Sequence, residues 1–269
     1  MCKNYIRPKF VKISKMKIAI LIPSTSKGRD EWKDAKDTYL YKHTFKTLLL
    51  TYDDEHEYRF YIGIDRGDRI YDNPAVKLYF EKMASIMKNT SIEFMYMTDI
   101  KKGHLTVMWN RLFDKAFDDG HDYFFQCGDD IVFETKGWIN ESIRTLEASD
   151  GIGMTGPINN NPRILTQSFV SRRHMELFGY YFPPEIINWC CDDWINDVYK
   201  RVNHFYPLQE HRCNNVGGAP RYDINNDPFF VTSKFQDRLS KLRIFATRIS
   251  EIDAIKIAEK LKEPTPDKI

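Results

Sequence analysis

Residues 122–133 read DYFFQCGDDIVF. Tyr123 to Cys127 is an apolar run of strand length, and it leads into two adjacent carboxylates, Asp129 and Asp130. The spacing predicts a helix directly upstream. Leu105, Met108, Trp109, Leu112, Phe113, Ala116 and Phe117 share one apolar face at helical period. Gly120 follows, the residue type that most readily takes the left-handed conformation ending a helix. Helix, glycine stop, apolar strand and paired acids form the order in which an open α/β sheet presents ligands at its carboxyl edge. Two carboxylates there can hold a divalent cation, and a hard cation holds phosphate oxygens. Gly-Asp is also ordinary turn chemistry, so the acid pair alone leaves the choice open.

Composition narrows the classes. The chain has 269 residues, of which 42% are hydrophobic, enough for a folded core of good size. Lys and Arg number 40 against 38 Asp and Glu, a net charge of +2 that gives no support to nucleic acid as the partner. The five cysteines, Cys2, Cys127, Cys190, Cys191 and Cys213, show neither zinc spacing nor a disulfide framework. Reduced thiols and a cytoplasmic location are expected. The basic N-terminal stretch lacks a long apolar core. The run Ile18 to Ile22 is too short to cross a membrane, so no transmembrane segment is expected.

Outward from the acid pair, three more strands are expected. Lys17 to Pro23, KIAILIP, reads as a strand buried on both faces; Arg59 to Asp65, RFYIGID, and Ser91 to Thr98, SIEFMYMT, are the others. Tyr41, Phe45, Leu48 and Leu49 mark one intervening helix and residues 75–87 another. The alternation implies a parallel sheet with right-handed crossovers. Beyond Phe133, helices are expected over 138–146, 172–178 and from Asp192 onward, and a strand over 167–171. Residues 204–222 hold two histidines and a loop, NNVGGAPRY. Leu239, Leu242, Ala246 and Ile249 mark a C-terminal helix. No repeat or linker divides the chain.

Residues 102–133, KGHLTVMWNRLFDKAFDDGHDYFFQCGDDIVF, resemble the central signature of family-2-like glycosyltransferases with the GT-A fold. Gly103, Asn110, Ala116, Gly120 and Asp129-Asp130 stand at its marked positions. Residues 177–194, LFGYYFPPEIINWCCDDW, resemble the acceptor-side segment, which ends in an acid pair beside a tryptophan. Two positions depart from the pattern. The family usually writes Asp-x-Asp, and Gly128 stands in the first place; Trp109 stands where relatives often have arginine.

The resemblance implies a single α/β domain over residues 1–269, with a mostly parallel, Rossmann-like central sheet flanked by helices. Residues 17–133 form its nucleotide-sugar half, 134–223 its acceptor half and 234–262 a C-terminal helix. It implies transfer from a nucleoside-diphosphate sugar, UDP- or GDP-linked, to a hydroxyl of a glycan or similar acceptor. Mn²⁺ or Mg²⁺ would be held by Asp130 and completed by His211, with His204 as the second choice. Pro23, Ser24, Thr25 and Asp65 would meet the base and ribose. Gly103, Asn110 and Asp129 would lie on the nucleotide, with Lys102 nearby. Asp193 would be the base of an inverting transfer, with Asp192 its alternative.

Each assignment has an ordinary counterpart. Asp65 could pair with Arg66 or Arg69, either histidine could be structural, and Asp192 or Asp193 could cap a helix. Trp189 and Trp194 could stack on a sugar or fill the core. Two other classes share parts of the pattern. A nucleotidyltransferase normally carries a Gly-rich basic loop after the first strand, and PSTSKGRD has a single glycine. A non-catalytic sugar-nucleotide-binding module would have lost the acids, and Asp129, Asp130, Asp192 and Asp193 are all present.

Overall fold

The sheet is built outward from β1 (Lys17–Ser24). Its side chains alternate, as the pleat requires. Ile18, Ile20 and Ile22 enter one hydrophobic cluster, Ala19 and Leu21 the other, and all five are buried. Each buried Ile or Leu contributes about 1.5–3 kcal/mol. In this computed structural model, which describes residues 14–101, 103–217 and 235–262, β1 lies between β2 (Glu57–Ile64) and β4 (Tyr123–Gln126), parallel to both. β3 (Thr90–Tyr96) lies parallel to β2. The four expected strands therefore form one parallel block.

The second half adds strands of mixed direction. β7 (Ser168–Ser171) runs antiparallel to β4, and β6 (Met154–Ile158) antiparallel to β7. β8 (Phe205–Asn215) is parallel to β6, and β5 (Ile131–Phe133) antiparallel to β8. The order is β3-β2-β1-β4-β7-β6-β8-β5 in one curled sheet. The chain leaves the centre at β4 and re-enters at the rim as β5 through the short link 127–130, which carries the acid pair. β8 is an addition, since no strand was expected after residue 171; only its last two residues, Asn214 and Asn215, fall in the expected loop.

Helices cover both faces. α1 (Lys46–Thr51), α2 (Pro74–Ile86) and α4 (Trp138–Glu147) pack on the Ile18 side. α3 (Leu105–Asp118), α5 (Arg172–Phe178), α6 (Cys191–Arg201) and α7 (Phe235–Lys260) pack on the other. α3 buries the face its spacing predicted, through Met108, Trp109, Leu112, Phe113 and Ala116, and ends before Gly120 at φ +79°. α1 is preceded by a π-helical segment, Leu40–Phe45, where an ordinary helix was expected. Cys127, Cys190, Cys191 and Cys213 are free and buried, and Cys2 lies outside the described residues. Among the described residues no helix is long and apolar enough to cross a membrane.

Candidate functional site

Because β1, β2 and β4 are parallel neighbours, the residues that follow them share one edge of the sheet. Asp68 ties the first two loops together. Its carboxylate accepts from the Ser26 amide at 2.7 Å, the Ser26 hydroxyl at 2.8 Å and the Thr25 hydroxyl at 3.2 Å. It also accepts from the amides of Ile70 and Tyr71. Asp65, by contrast, is half-buried at the end of β2, and its carboxylate takes no hydrogen bond or ion pair among the described residues. The pairing with Arg66 or Arg69 is not formed. Arg69 donates to the carbonyls of Trp32 and Arg29, and Arg66 lies over the Tyr96 ring. Pro23 and Ser24 close β1, and the Ser24 hydroxyl is buried without a hydrogen-bond partner among the described residues. A buried hydroxyl left so is costly unless something else satisfies it.

The acid pair is held by a residue absent from the sequence reading. The Thr44 hydroxyl donates to the Gly128 carbonyl at 3.3 Å and accepts from the Ile131 amide at 3.1 Å. One side chain of the π-helical segment thus clasps both ends of the Asp129-Asp130 turn. Asp129 is fully buried and Asp130 partly so. His43 lies near Asp129. Burial lowers the pKa of its imidazole, against a smaller upward pull from the Asp129 charge. The Asp130 carboxylate sits between Gly128 and Gly217, where a methyl group on either glycine would overlap it. Arg29 Nη2 holds Gly217 in place by donating to its carbonyl at 3.1 Å, and the Val216 amide donates to the Asp130 carbonyl.

Among the described residues, no three His, Cys, Asp or Glu converge as a metal cage. The donor set at this edge suits another mode, in which a divalent ion takes one or two carboxylates and completes its shell with substrate phosphates and water. The histidines do not join it, which corrects the expectation for both. His211 Nδ1 is beside the Thr135 hydroxyl at 3.2 Å, whereas Asp130 faces Val216 at the other end of β8. Five strand residues separate those rungs, roughly 16 Å. His204 precedes β8 and bonds the Ile152 carbonyl. The cause is the pairing of β8 with β5, which sets Asn215 beside Ile131 and carries His211 away along the strand.

The acceptor-side acids open α6. Cys190, with φ +70°, turns the chain into the helix. Asp192 accepts from the Asp193 amide at 3.0 Å, and Asp193 is paired with Arg163 Nη1 at 2.6 Å. Enclosure by protein, then the neighbouring Asp193 charge, push the Asp192 carboxyl up to about 6. Asp192 nevertheless keeps a solvent-facing part. The Thr106 amide and hydroxyl both donate to the Ile187 carbonyl, which brings the segment before α6 against the N-terminus of α3. Gly103, at φ +90°, makes the turn into α3. Lys102 lies outside the described residues.

One assignment changes role, and one open choice is decided. Asn110, expected on the nucleotide, accepts from the amides of Tyr181 and Phe182 and donates to the Phe182 carbonyl. It fastens α3 to the strap before α6. Trp194 is fully buried and donates to Asp253 at 3.1 Å, so it fills the core. Trp189 is half-buried.

No family model matches the chain, and no curated protein matches it in sequence. Solved structures do match. Staphylococcus aureus TarS, a glycosyltransferase, aligns at 11% identity and TM-score 0.50 over 94% of this chain, which spans 56% of that one. TarS residues 1–349 with UDP align at 11% identity and TM-score 0.50, covering 94% of each chain. The same fragment with UDP-GlcNAc gives 10% identity and TM-score 0.54 over 88% of this chain and 66% of that one. At such identities the likeness is one of architecture: the chain has the GT-A-type fold of the nucleotide-sugar transferases.

Proposed function

We propose that the chain is a glycosyltransferase. It moves a hexosyl or pentosyl group from a UDP- or GDP-linked sugar to a hydroxyl acceptor such as a glycan, with inversion at the anomeric carbon. The observation that carries this reading is the meeting at one sheet edge of the Asp129-Asp130 turn with the Ser24 hydroxyl and the Asp65 carboxylate, neither of which has a partner among the described residues. Its support is the fold, whose solved examples include complexes with UDP and UDP-GlcNAc.

Asp65 can accept from a base N–H or a ribose hydroxyl, and Ser24 can donate to the same ligand. Pro23 and Thr25 flank Ser24, and they and Gly103 would border the bound nucleotide. Asp130 would hold Mn²⁺ or Mg²⁺, with Asp129 behind it. The bound ion would neutralise charge that develops on the departing diphosphate. On the other side, the acceptor hydroxyl gives its proton to an α6 carboxylate as it attacks. Asp192 suits that task better than Asp193, reversing the order implied by the resemblance. Its carboxyl is raised toward neutral pH, where a base works best, and Asp193 is engaged by Arg163.

Thermal unfolding with UDP-, GDP- and CMP-sugars, each with and without Mn²⁺, tests the reading. A ligand at about 100 times its Kd adds about 2.7 kcal/mol, which raises the midpoint of a chain this size by roughly 5–10 °C. One nucleotide class should act, and more strongly with Mn²⁺. Identical midpoints with every sugar nucleotide would sink the proposal.

A further inference from the structure

We propose that α7 pairs antiparallel with α7 of a second copy of this chain. The helix has 26 residues, a length of roughly 39 Å. One side is buried against the domain through Leu242, Ala246, Ala254 and Ile257. The opposite side leaves Ile244, Ile252 and Ile255 at 56%, 63% and 57% exposure. Isoleucine is a middling helix former with a stiff side chain, so helix propensity does not account for three of them on a solvated face. Scattered exposed apolar residues are ordinary, but a stripe of them on one helix face marks an interaction surface.

The spacing along that face identifies the occupant. Ile244, Arg248, Glu251, Ile255, Ala258 and, in the turn just past the helix, Lys262 are separated by 4, 3, 4, 3 and 4 residues, the alternation of a two-helix seam. Turning a second copy end for end about the point between Arg248 and Glu251 sets Ile244 of each copy against Ile255 of the other. The same turn places Arg248 against Glu251, and Asp237 against Lys262. Every layer is then apolar on apolar or opposite in charge, with Lys241 against Ala258 as the neutral exception. A parallel pairing would set Arg248 on Arg248 and Glu251 on Glu251, which repels.

On this face Asp237, Glu251 and Glu259 balance Lys241, Arg248 and Lys262, so it lacks the excess of basic charge that an anionic lipid surface would draw. Within one copy Glu251 pairs with Arg201 at 3.1 Å, both well exposed, so the contact is easily exchanged. A single helix face is small. Its buried area falls below about 1,200 Å², the range of weak and transient interfaces. The association is therefore concentration-dependent.

Sedimentation equilibrium of the full chain from about 1 to about 200 µM reads it directly. A dimer that grows with concentration is expected. Ile255→Glu should weaken it by tenfold or more, on the order of one hot-spot contact. Arg248→Glu and Glu251→Arg should each weaken it, and the double exchange R248E/E251R should restore it to within about threefold, because each copy then offers the same pairs reversed. Far-UV circular dichroism of each variant confirms that the fold is kept; these positions are exposed. A monomer throughout the range, or a dimer indifferent to Ile255→Glu, overturns the proposal. So does a double exchange that fails to recover. A monomer that co-sediments with phosphatidylserine vesicles through the same isoleucines would assign the face to a membrane surface instead.

Discussion

His174 is a buried titratable group outside the acid sites. Its Nε2 faces the Tyr181 carbonyl at 3.0 Å and must donate; its Nδ1 then accepts from the Tyr199 hydroxyl at 2.7 Å. The ring is thus neutral with both nitrogens used, and burial lowers its pKa from 6.5 to about 4. The folded state takes up this proton less readily than the unfolded state. Stability is therefore intact above pH 6.5 and falls as the pH drops from 6.5 toward 4. The full loss is about 3 kcal/mol. Urea midpoints at stepped pH should show it, and His174→Gln should fall less steeply over that window. Equal slopes would remove the assignment. At the acid pair of α6, Asp192→Asn should lower transfer by roughly 10²-fold or more and abolish the rate's rise through pH about 6. Asp193→Asn should be milder, and neither should change donor affinity by calorimetry. A larger loss in Asp193→Asn would give that residue the proton. Both acid pairs were legible because they interrupt local patterns, one a strand end and one a helix start. Thr44, Asp68 and Arg29 were not. Their partners lie 84, 42 and 188 residues away in the chain, and such contacts leave no periodicity to read.

At the scale of elements, β1, β2 and β4 announce themselves by being buried on both faces, which leaves nearly continuous apolar runs, whereas β3 at the rim is only half-buried. β8 gives no such signal. Gln209, Glu210 and Arg212 stand on its exposed stretch, so alternation of apolar and polar residues is lost where the strand shifts its register against β6. The two histidine assignments failed for that one reason. The link between β4 and β5 is the element on which the donor side depends. Its Asp130 carboxylate fits because Gly128 and Gly217 carry no side chain. Gly217→Ala should push that carboxylate aside. Metal-dependent binding of nucleoside diphosphate, followed by calorimetry, should weaken by tenfold or more, on the scale of one lost charged contact. The unfolding midpoint should change little, since a side chain at the site edge can swing away. Unchanged binding would show that Asp130 does not face the ligand.

For the whole molecule, one sheet runs through both halves, and the two hydrophobic clusters lie on its two faces rather than in two lobes. Unfolding should therefore be a single event. Tryptophan fluorescence, which samples Trp32 and Trp109 on one side of the chain and Trp138 and Trp194 on the other, should lose its native signal together with far-UV ellipticity. Two separated transitions would mean that the halves fold apart.

The threonines of the helical turn before and within α1 have a further effect. A sheet has two rims, and an uncovered rim invites strands from other molecules to add. β5 forms one rim here, and its outward amides at Ile131 and Phe133 are already taken by the hydroxyls of Thr44 and Thr47. An incoming strand would have to evict a helix to bond there. β3 forms the other rim, where Glu93 lies beside Arg59 and Lys115. Charge guards that side and hydroxyl caps guard this one, so crowding and aggregation are resisted by different chemistry at each end of the same sheet.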